Sequence, residues 1–391
     1  MPGLLLIAAG PGEWRAAWVE GDAATELYVE RGDAPPAGSI HLGRVVRRTP
    51  GLDAVLVDIG AERPGFLPVG SRTAPRLDEG ARIIVQVRRE AQQGKGARLS
   101  TRINPRHEGF ELEQLAAETA RHEPPRQLDP PPGFAHALAL RLAAVPEQIL
   151  TDDPAILPEL RGVFPNAEVL RRPAAEWPID VDSEFAAALT QSLTLPGGGC
   201  VHIAETPATV LIDVDTGTPE GGSAERGALA ANLEAAQVIA RQLRLRQLGG
   251  GIIIDFVGLE GRGARDKVRQ AMAAALAGDP AEPQVLGWTR LGHLEIVRPR
   301  HGRPLSAAML EPPGVGKSSL ALAFEALRLL QREARARPAA DWRLVVSPAV
   351  NAALRGPAAA GLRALETRLG RQILVTVEPN RERAAFDIVP R

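Results

Sequence analysis

The chain has 391 residues, room for two or three domains with their own cores, and its 45% hydrophobic and 24% charged content is that of an ordinary globular protein. A formal charge of −1 excludes an overall basic field, so nucleic-acid binding would need local positive patches. The single cysteine, Cys200, excludes an internal disulfide and a cysteine-rich zinc site. The opening "MPGLLLIAAGPGEW" has a short apolar run but no basic leader and reads as a first strand rather than a signal peptide. No apolar run reaches the roughly 18 residues of a membrane span, and a cytoplasmic setting is expected.

In chain order, the first 31 residues predict strand, "GPGE" turn, strand "WRAAWVEG" and strand "TELYVER", closed by "GDAPPAG". Then come "SIHLGRVVRRTPGLDAVLVDIGAERPGFLP", "RIIVQVRRE" and "ARLSTRI". These are five or so short strands punctuated by Thr-Pro-Gly, Gly-Ala-Glu and Gly-Lys-Gly turns, the pattern of a small OB-type barrel. Residues 106–133 predict one helix and a proline-rich linker. From 134 onward helix and strand alternate, as in an α/β layer, and no internal repeat occurs. After Ser318 two helical patterns and the strand "RQILVTVE" suffice for a small α/β cap. The fold class expected is a multi-domain α/β protein.

The most informative stretch is "ATVLIDVDTGTPEGGSAERGALAANLEAAQVIARQLRLRQLGGGIIIDFVG". Strand side chains alternate, so "TVLIDVD" places Asp213 and Asp215 on one face. A helix follows, with Leu229, Leu233, Ala236, Ile239, Ala240 and Leu243 near helical spacing, and Gly249–Gly251 stop it. "GIIIDF" is a continuous apolar strand, expected to be buried on both faces, that ends in Asp255. Strand–helix–strand connectivity brings the C-terminal ends of both strands together. Packing asks for no carboxylate there. Converging carboxylates without histidine or cysteine suit magnesium, which can orient a water and stabilise phosphoryl charge. Taken singly, Asp215 before Thr-Gly is equally a turn residue, and Asp255 a cap of the following loop.

"LIDVDTG", "NLEAAQVIARQLRLRQLGGGIIIDF" and "GAERPGFLP" together resemble the ribonuclease E/G family, in its order and over nearly the whole chain. The resemblance implies an RNase-H-like domain (1–34 and 134–193) interrupted by an S1-type OB-fold RNA-binding barrel (35–105) and a shortened sensor region or linker (106–133). A deoxyribonuclease-I-like catalytic domain (194–310), a degenerate zinc-link linker (311–318) and a small C-terminal domain (319–391) follow. It also implies a magnesium-dependent endoribonuclease acting on single-stranded RNA, with Mn2+ as a substitute ion. The family's two metal ligands fall on Asp213 and Asp255, and its third polar site residue, usually asparagine, on Asp215. In the barrel, Phe66 matches an aromatic that stacks on RNA and Lys95 a basic position beside it. An exposed aromatic serves any base as a platform and a cation neutralises phosphate; the competing reading of Phe66 is a core aromatic. Arg241, Arg244, Arg246, Arg298, Arg300 and Arg303 are further candidates for local positive charge, or solvated surface residues.

Four departures from the family stand out. Leu56 replaces the partner aromatic in "AVLVD". The segment between barrel and catalytic half is short, and no counterpart of the family's arginine–threonine 5′-monophosphate sensor appears. Asp215 adds a negative charge beside the metal. Finally, "EPPGVGKS" stands where the family has its Cys-Pro-x-Cys zinc link, so no zinc is expected, and the protein should be a monomer or a dimer joined without zinc. As a phosphate loop "EPPGVGKS" needs glycine where Glu311 stands; no nucleotide cofactor is expected, and Ser318 should start the next helix. The seven histidines form no His-x-x-x-His pair, no G-x-S-x-G elbow occurs, and Cys200 reads as a small buried residue.

Overall fold

Hydrophobic alternation and turn placement organise three sheets and a barrel in the computed structural model. It describes residues 3–31, 35, 37–69, 77–91, 95–103, 121–128, 133–139, 141–217, 224–259, 261–300, 303–311 and 316–391. The helix expected around 108–121, most of the linker 106–133 and the Pro312–Val315 part of "EPPGVGKS" lie outside those residues. The chain folds as two units, Met1–Val29 with Leu142–Arg391, and Glu30–Arg141. Among the described residues no helix is long and apolar enough to cross a membrane.

The first sheet has the order Glu168–Arg171, Gln148–Thr151, Leu4–Gly10, Glu13–Glu20, Ala23–Glu30. Its first three strands follow one another through tight turns, as the sequence predicts. Leu4–Gly10 then pairs parallel with Gln148–Thr151, so the whole of the second unit is inserted between two neighbouring strands. Leu5, Leu6 and Ile7 are completely buried, as expected of a central strand covered on both sides. The turn at Pro11–Gly12 is seated on a C-terminal helix, Ala359–Leu369. Gly12 has φ +77°, and a Cβ there would lie 2.9 Å from the Gly361 Cα. Both positions therefore need glycine.

A second sheet runs Ser192–Thr194, Cys200–Glu205, Thr209–Asp215, Gly250–Asp255, Leu294–Arg298, Gln284–Trp288. Helices Ala224–Leu245 and Arg262–Leu276 pack on one of its faces, where Val210, Ile212, Val214, Ile252, Ile254 and Ile296 meet Ala236, Ile239, Leu243, Val268 and Met272. Near the C-terminus the chain holds more than the sequence suggests. Three helices (Ser319–Ala336, Pro348–Arg355, Ala359–Leu369) flank a three-stranded sheet in which Trp342–Val346 lies between Leu374–Val377 and Asp387–Pro390. "RPLSAAML", a poor strand by sequence, contains a one-turn helix, Leu305–Met309.

The second unit holds a closed five-stranded barrel. Ile40–Thr49, Ala54–Asp58, Gly65–Pro68, Arg98–Ser100 and Arg82–Arg89 pair in that order, and the last returns to the first. Closure removes free edges, which small β domains must otherwise protect. Val45, Val57, Leu67, Val85, Val87 and Leu99 fill its interior. Gly96 allows the last strand to close: a Cβ there would meet the Pro64 carbonyl oxygen at 1.9 Å.

His41 on the first barrel strand is 2% exposed, its Nε2 2.9 Å from Ser39 Oγ. Burial pushes its pKa from 6.5 down to about 4, against a smaller opposing effect of the Ile59 backbone. The folded form thus binds the proton less readily than the unfolded chain. The stability this contributes is present above pH 6.5 and is lost as pH falls through the window down to 4, by up to about 3 kcal/mol. NMR titration should show the His41 ring still neutral at pH 5.5, and His41→Leu should flatten the acid limb of the barrel's urea midpoint. A ring that titrates at its ordinary value would contradict this.

Candidate active site

Thr209–Asp215 alternates as its sequence predicts. Val210, Ile212 and Val214 point into the core, while Leu211, Asp213 and Asp215 share the outer face. The parallel pairing with Gly250–Asp255 sets Ile212 against Ile254 and Asp213 against Asp255. Register partners on parallel strands project to the same side, and neighbouring strands lie about 4.8 Å apart. The structure therefore brings Asp213 and Asp255 together on adjacent strand ends, both exposed. One expectation is corrected: the isoleucine strand is not buried on both faces. Ile252 and Ile254 are core, but Ile253 is half-buried and Asp255 exposed, and the neighbouring Leu211 and Val297 are each 42% exposed. Both helices cover the same side of this sheet and leave the carboxylate side accessible.

Other polar groups continue the row across this outer face. His202 is paired with Asp213, and Ser192 with His202. His202 Nδ1 is 2.7 Å from Ser192 Oγ, and its Nε2 is 3.1 Å from Cys200 Sγ. On the far side, His293 Nε2 lies 3.7 Å from Asp255 Oδ2. Cys200 is half-buried rather than buried, because it lies on this accessible side opposite Asp215. Asp215 Oδ1 accepts the Gly217 N–H at 2.9 Å, so the residue serves its turn while facing the same way as Asp213.

Two residues that the sequence reading passed over hold the loops beside the carboxylates. Asn232 is completely buried; its Nδ2 donates to the Val257 carbonyl at 2.8 Å and its Oδ1 accepts the Val257 N–H at 3.0 Å. This clamps the chain two residues after Asp255. Glu234 accepts the Gly197 N–H at 2.9 Å. An asparagine in the apolar phase of a helix was the available signal, since a buried amide must find partners. Phe256 and Trp288 pack 6.0 Å apart behind Asp255, with the Arg265 guanidinium 5.8 Å from the indole.

The exposed oxygen donors of Asp213 and Asp255 fit a hard divalent cation, and magnesium takes one or two protein carboxylates and keeps its waters. Among the described residues no group of three or more His, Cys, Asp and Glu side chains is disposed to hold a metal ion. The donor set is therefore the carboxylate pair itself.

On the barrel, strand pairing assembles a second row that sequence spacing conceals. Arg47 pairs with Leu56, Leu56 with Phe66, Phe66 with Arg98, and Arg98 with Arg89. Phe66 is half-buried and points away from the interior that Leu67 fills. The three arginines and Lys95 are exposed and have no ion pair among the described residues. An aromatic platform flanked by free cations is the arrangement that single strands use, through stacking and phosphate neutralisation.

Comparison with known proteins places this geometry. The model described as "Ribonuclease E/G family" matches residues 166–301, which contain both carboxylate strands and the helix between them. Ribonuclease G of Escherichia coli strain K12 is 27% identical over 489 aligned residues, covering 98% of this chain and 99% of that protein. Ribonuclease E of Haemophilus influenzae is 29% identical over 85% of this chain and 46% of its own length. The chain belongs to the ribonuclease E/G family. An alignment of 489 residues to a chain of 391 means that the family member from E. coli carries internal segments lacking here.

Six arginines considered as sources of positive charge for the family's substrate are tied up in the fold. Arg244 pairs with Glu20 and Glu26, and Arg241 with Glu184. Arg246 is buried against Gln242. Arg298 is buried against Asp279, and Arg300 and Arg303 donate to the carbonyls of Gly249 and Ala307. The linker "EPPGVGKS" is likewise engaged. Glu311 pairs with Arg383, Lys317 Nζ lies 2.6 Å from Glu325 Oε2, and Ser318 caps the Ser319–Ala336 helix by accepting the Ala321 N–H.

Proposed function

We propose that this protein is a magnesium-dependent endoribonuclease that hydrolyses single-stranded RNA in RNA processing or decay. The observation that carries the reading is the register of Asp213 with Asp255 at adjacent strand ends on an accessible face. Similarity to proteins named ribonuclease G and ribonuclease E supports it. In this reading Asp213 and Asp255 hold Mg2+, with Mn2+ as substitute, and the ion supplies charge neutralisation at the phosphate and an oriented water. Asp215 orients water or the scissile phosphate from the same face through the oxygen not engaged by Gly217. The Phe66 row grips the strand. The five-stranded sheet with its inserted barrel supports RNase-H-like and S1-type domains, and the helix-backed sheet supports a deoxyribonuclease-I-like catalytic domain. We further place the protein in the cytoplasm, as a monomer or a dimer formed without zinc.

The deciding measurement is incubation of the purified chain with end-labelled single-stranded RNA, with magnesium and with EDTA. Internal cleavage in magnesium alone is expected; binding with no cleavage under either condition would leave an RNA-holding scaffold. That second reading draws on one observation, the engagement of Asp215 Oδ1 by its own turn. Removing the stacking platform with Phe66→Ala should weaken RNA affinity by about 1–3 kcal/mol, roughly five- to 150-fold. Fluorescence anisotropy with an oligonucleotide in EDTA checks this. Unchanged affinity would remove Phe66 from the interface.

A further inference from the structure

The largest unexplained concentration of charge lies away from both rows. Strand Glu13–Glu20, helix Val181–Ala188 and helix Ser319–Ala336 enclose a cavity of ≈ 170 Å³, whose charged lining is Arg15, Asp182, Lys317, Glu325, Arg328 and Arg332. Asp182 is the hub. Its Oδ1 accepts from Arg15 Nη1 at 3.0 Å and from Arg328 Nη2 at 2.8 Å, and its Oδ2 accepts from Arg332. Glu13, fully buried, accepts from Arg15 Nε at 2.9 Å, and Lys317 is paired with Glu325.

Two guanidinium nitrogens remain outside this network. Arg15 Nη2 and Arg328 Nη1 are buried and make no hydrogen bond, although the latter has a loose 3.5 Å approach to Glu13. Neither side chain can turn away easily. Arg15 lies over the Phe185 ring, 5.1 Å from its centroid, and the Arg328 stem passes so close to Gly10 that a Cβ there would lie 2.4 Å from its Cγ. Arg15 and Arg328 are 3% and 5% exposed. Burial, and next the positive charge of Arg15, bring the Arg328 pKa down to about 10, the mark of cations crowded beyond their counter-charge. The cavity far exceeds the ~10–15 Å³ that one water needs. Water would meet the two N–H donors but not the surplus charge; an anion meets both, through charge-assisted hydrogen bonds to arginine.

We propose that this cavity is a binding site for a tetrahedral oxyanion, either free phosphate or the terminal phosphate of a larger molecule, held by Arg15, Arg328, Arg332 and Lys317. Arg15 and Arg328 form its fixed floor, and the more exposed Arg332 and Lys317 recruit the ligand. The site is independent of the carboxylate pair, and its existence does not require that the protein cleave RNA.

The test uses the full chain in EDTA, so that no divalent ion bridges phosphate to the carboxylates. Calorimetry and thermal melts follow inorganic phosphate, and separately a nucleoside 5′-monophosphate, against chloride at matched ionic strength. Saturable phosphate binding with a raised melting temperature is expected, and Arg332→Ala and Lys317→Ala should each weaken it about tenfold. These exposed positions let the variants fold even if Arg15→Lys, which removes the Nη2 donor, does not. Binding of phosphate alone identifies a site closed to larger molecules; binding of both identifies a phosphomonoester site. A melting shift no greater than that in chloride, or one unaltered in both variants, overturns the proposal.

Discussion

Asp213→Asn and Asp255→Asn should each lower the rate of RNA cleavage by roughly a thousandfold, about 4 kcal/mol of transition-state stabilisation. Each should leave affinity for the same RNA in EDTA unchanged. Asparagine keeps the shape of the side chain and its place on the strand, so the sheet register that pairs residues 213 and 255 is preserved. What changes is one negative charge in a two-carboxylate set, and a hard cation held by two protein oxygens depends on both. Magnesium titration should show the defect too, read through Trp288, which packs against Phe256 immediately after Asp255. Single-turnover cleavage by the parent and both variants is the decisive comparison. If either variant cuts within tenfold of the parent, the pair does not hold the catalytic ion.

A comparably large effect, on stability rather than activity, is expected at Arg298. Its Nε and Nη2 reach Asp279 Oδ2 and Oδ1 at 2.7 and 3.0 Å, and Nη1 donates to the Leu248 carbonyl at 2.8 Å. Both side chains are about 5% exposed or less. Arg298→Met leaves a carboxylate buried without its partner, and such losses amount to about 3–5 kcal/mol. For a domain of this size the melting temperature should fall by roughly 2–4 °C per kcal/mol. The double variant Arg298→Met with Asp279→Leu should recover most of the loss, since neither charge is then stranded. No recovery in the double variant would mean that the Leu248 bond, rather than the ion pair, carries the energy.

Arg298 also shows where the sequence stops being informative. "RPRHGRP" looks like a basic surface run, and nothing within a few residues marks the first arginine as internal; its partner Asp279 stands 19 positions earlier. The pairing of Asp213 with Asp255 was readable because strand, helix and strand follow one another without interruption, which fixes both direction and neighbourhood. Leu56 beside Phe66 is a hairpin relation and local. Arg98 beside Phe66 crosses from one hairpin to another, and His293 beside Asp255 depends on an antiparallel strand whose register no turn links to it. The isoleucine run misled because composition reports how apolar a strand is, not how many layers cover it. The alternation in "TVLIDVD" next to it was the better guide to a one-sided sheet. Beyond Ser318, the short edge strand Asp387–Pro390 carries too few residues to announce itself, and Gly356-Pro357 separates two short helices where one was read.

The insertion of one unit between Leu4–Gly10 and Gln148–Thr151 has a bearing on synthesis. On a ribosome adding about 5–20 residues per second, the first hairpin waits roughly ten to thirty seconds for its parallel neighbour. The seat that Gly361 provides for Gly12 emerges only when nearly all of the message has been read. The barrel, whose strands are contiguous in the chain, can close in that interval, while the apolar Leu5, Leu6 and Ile7 stay without their final cover. Nascent chains released early would then present a formed nucleic-acid grip beside an unprotected strand edge, the kind of surface that chaperones recognise.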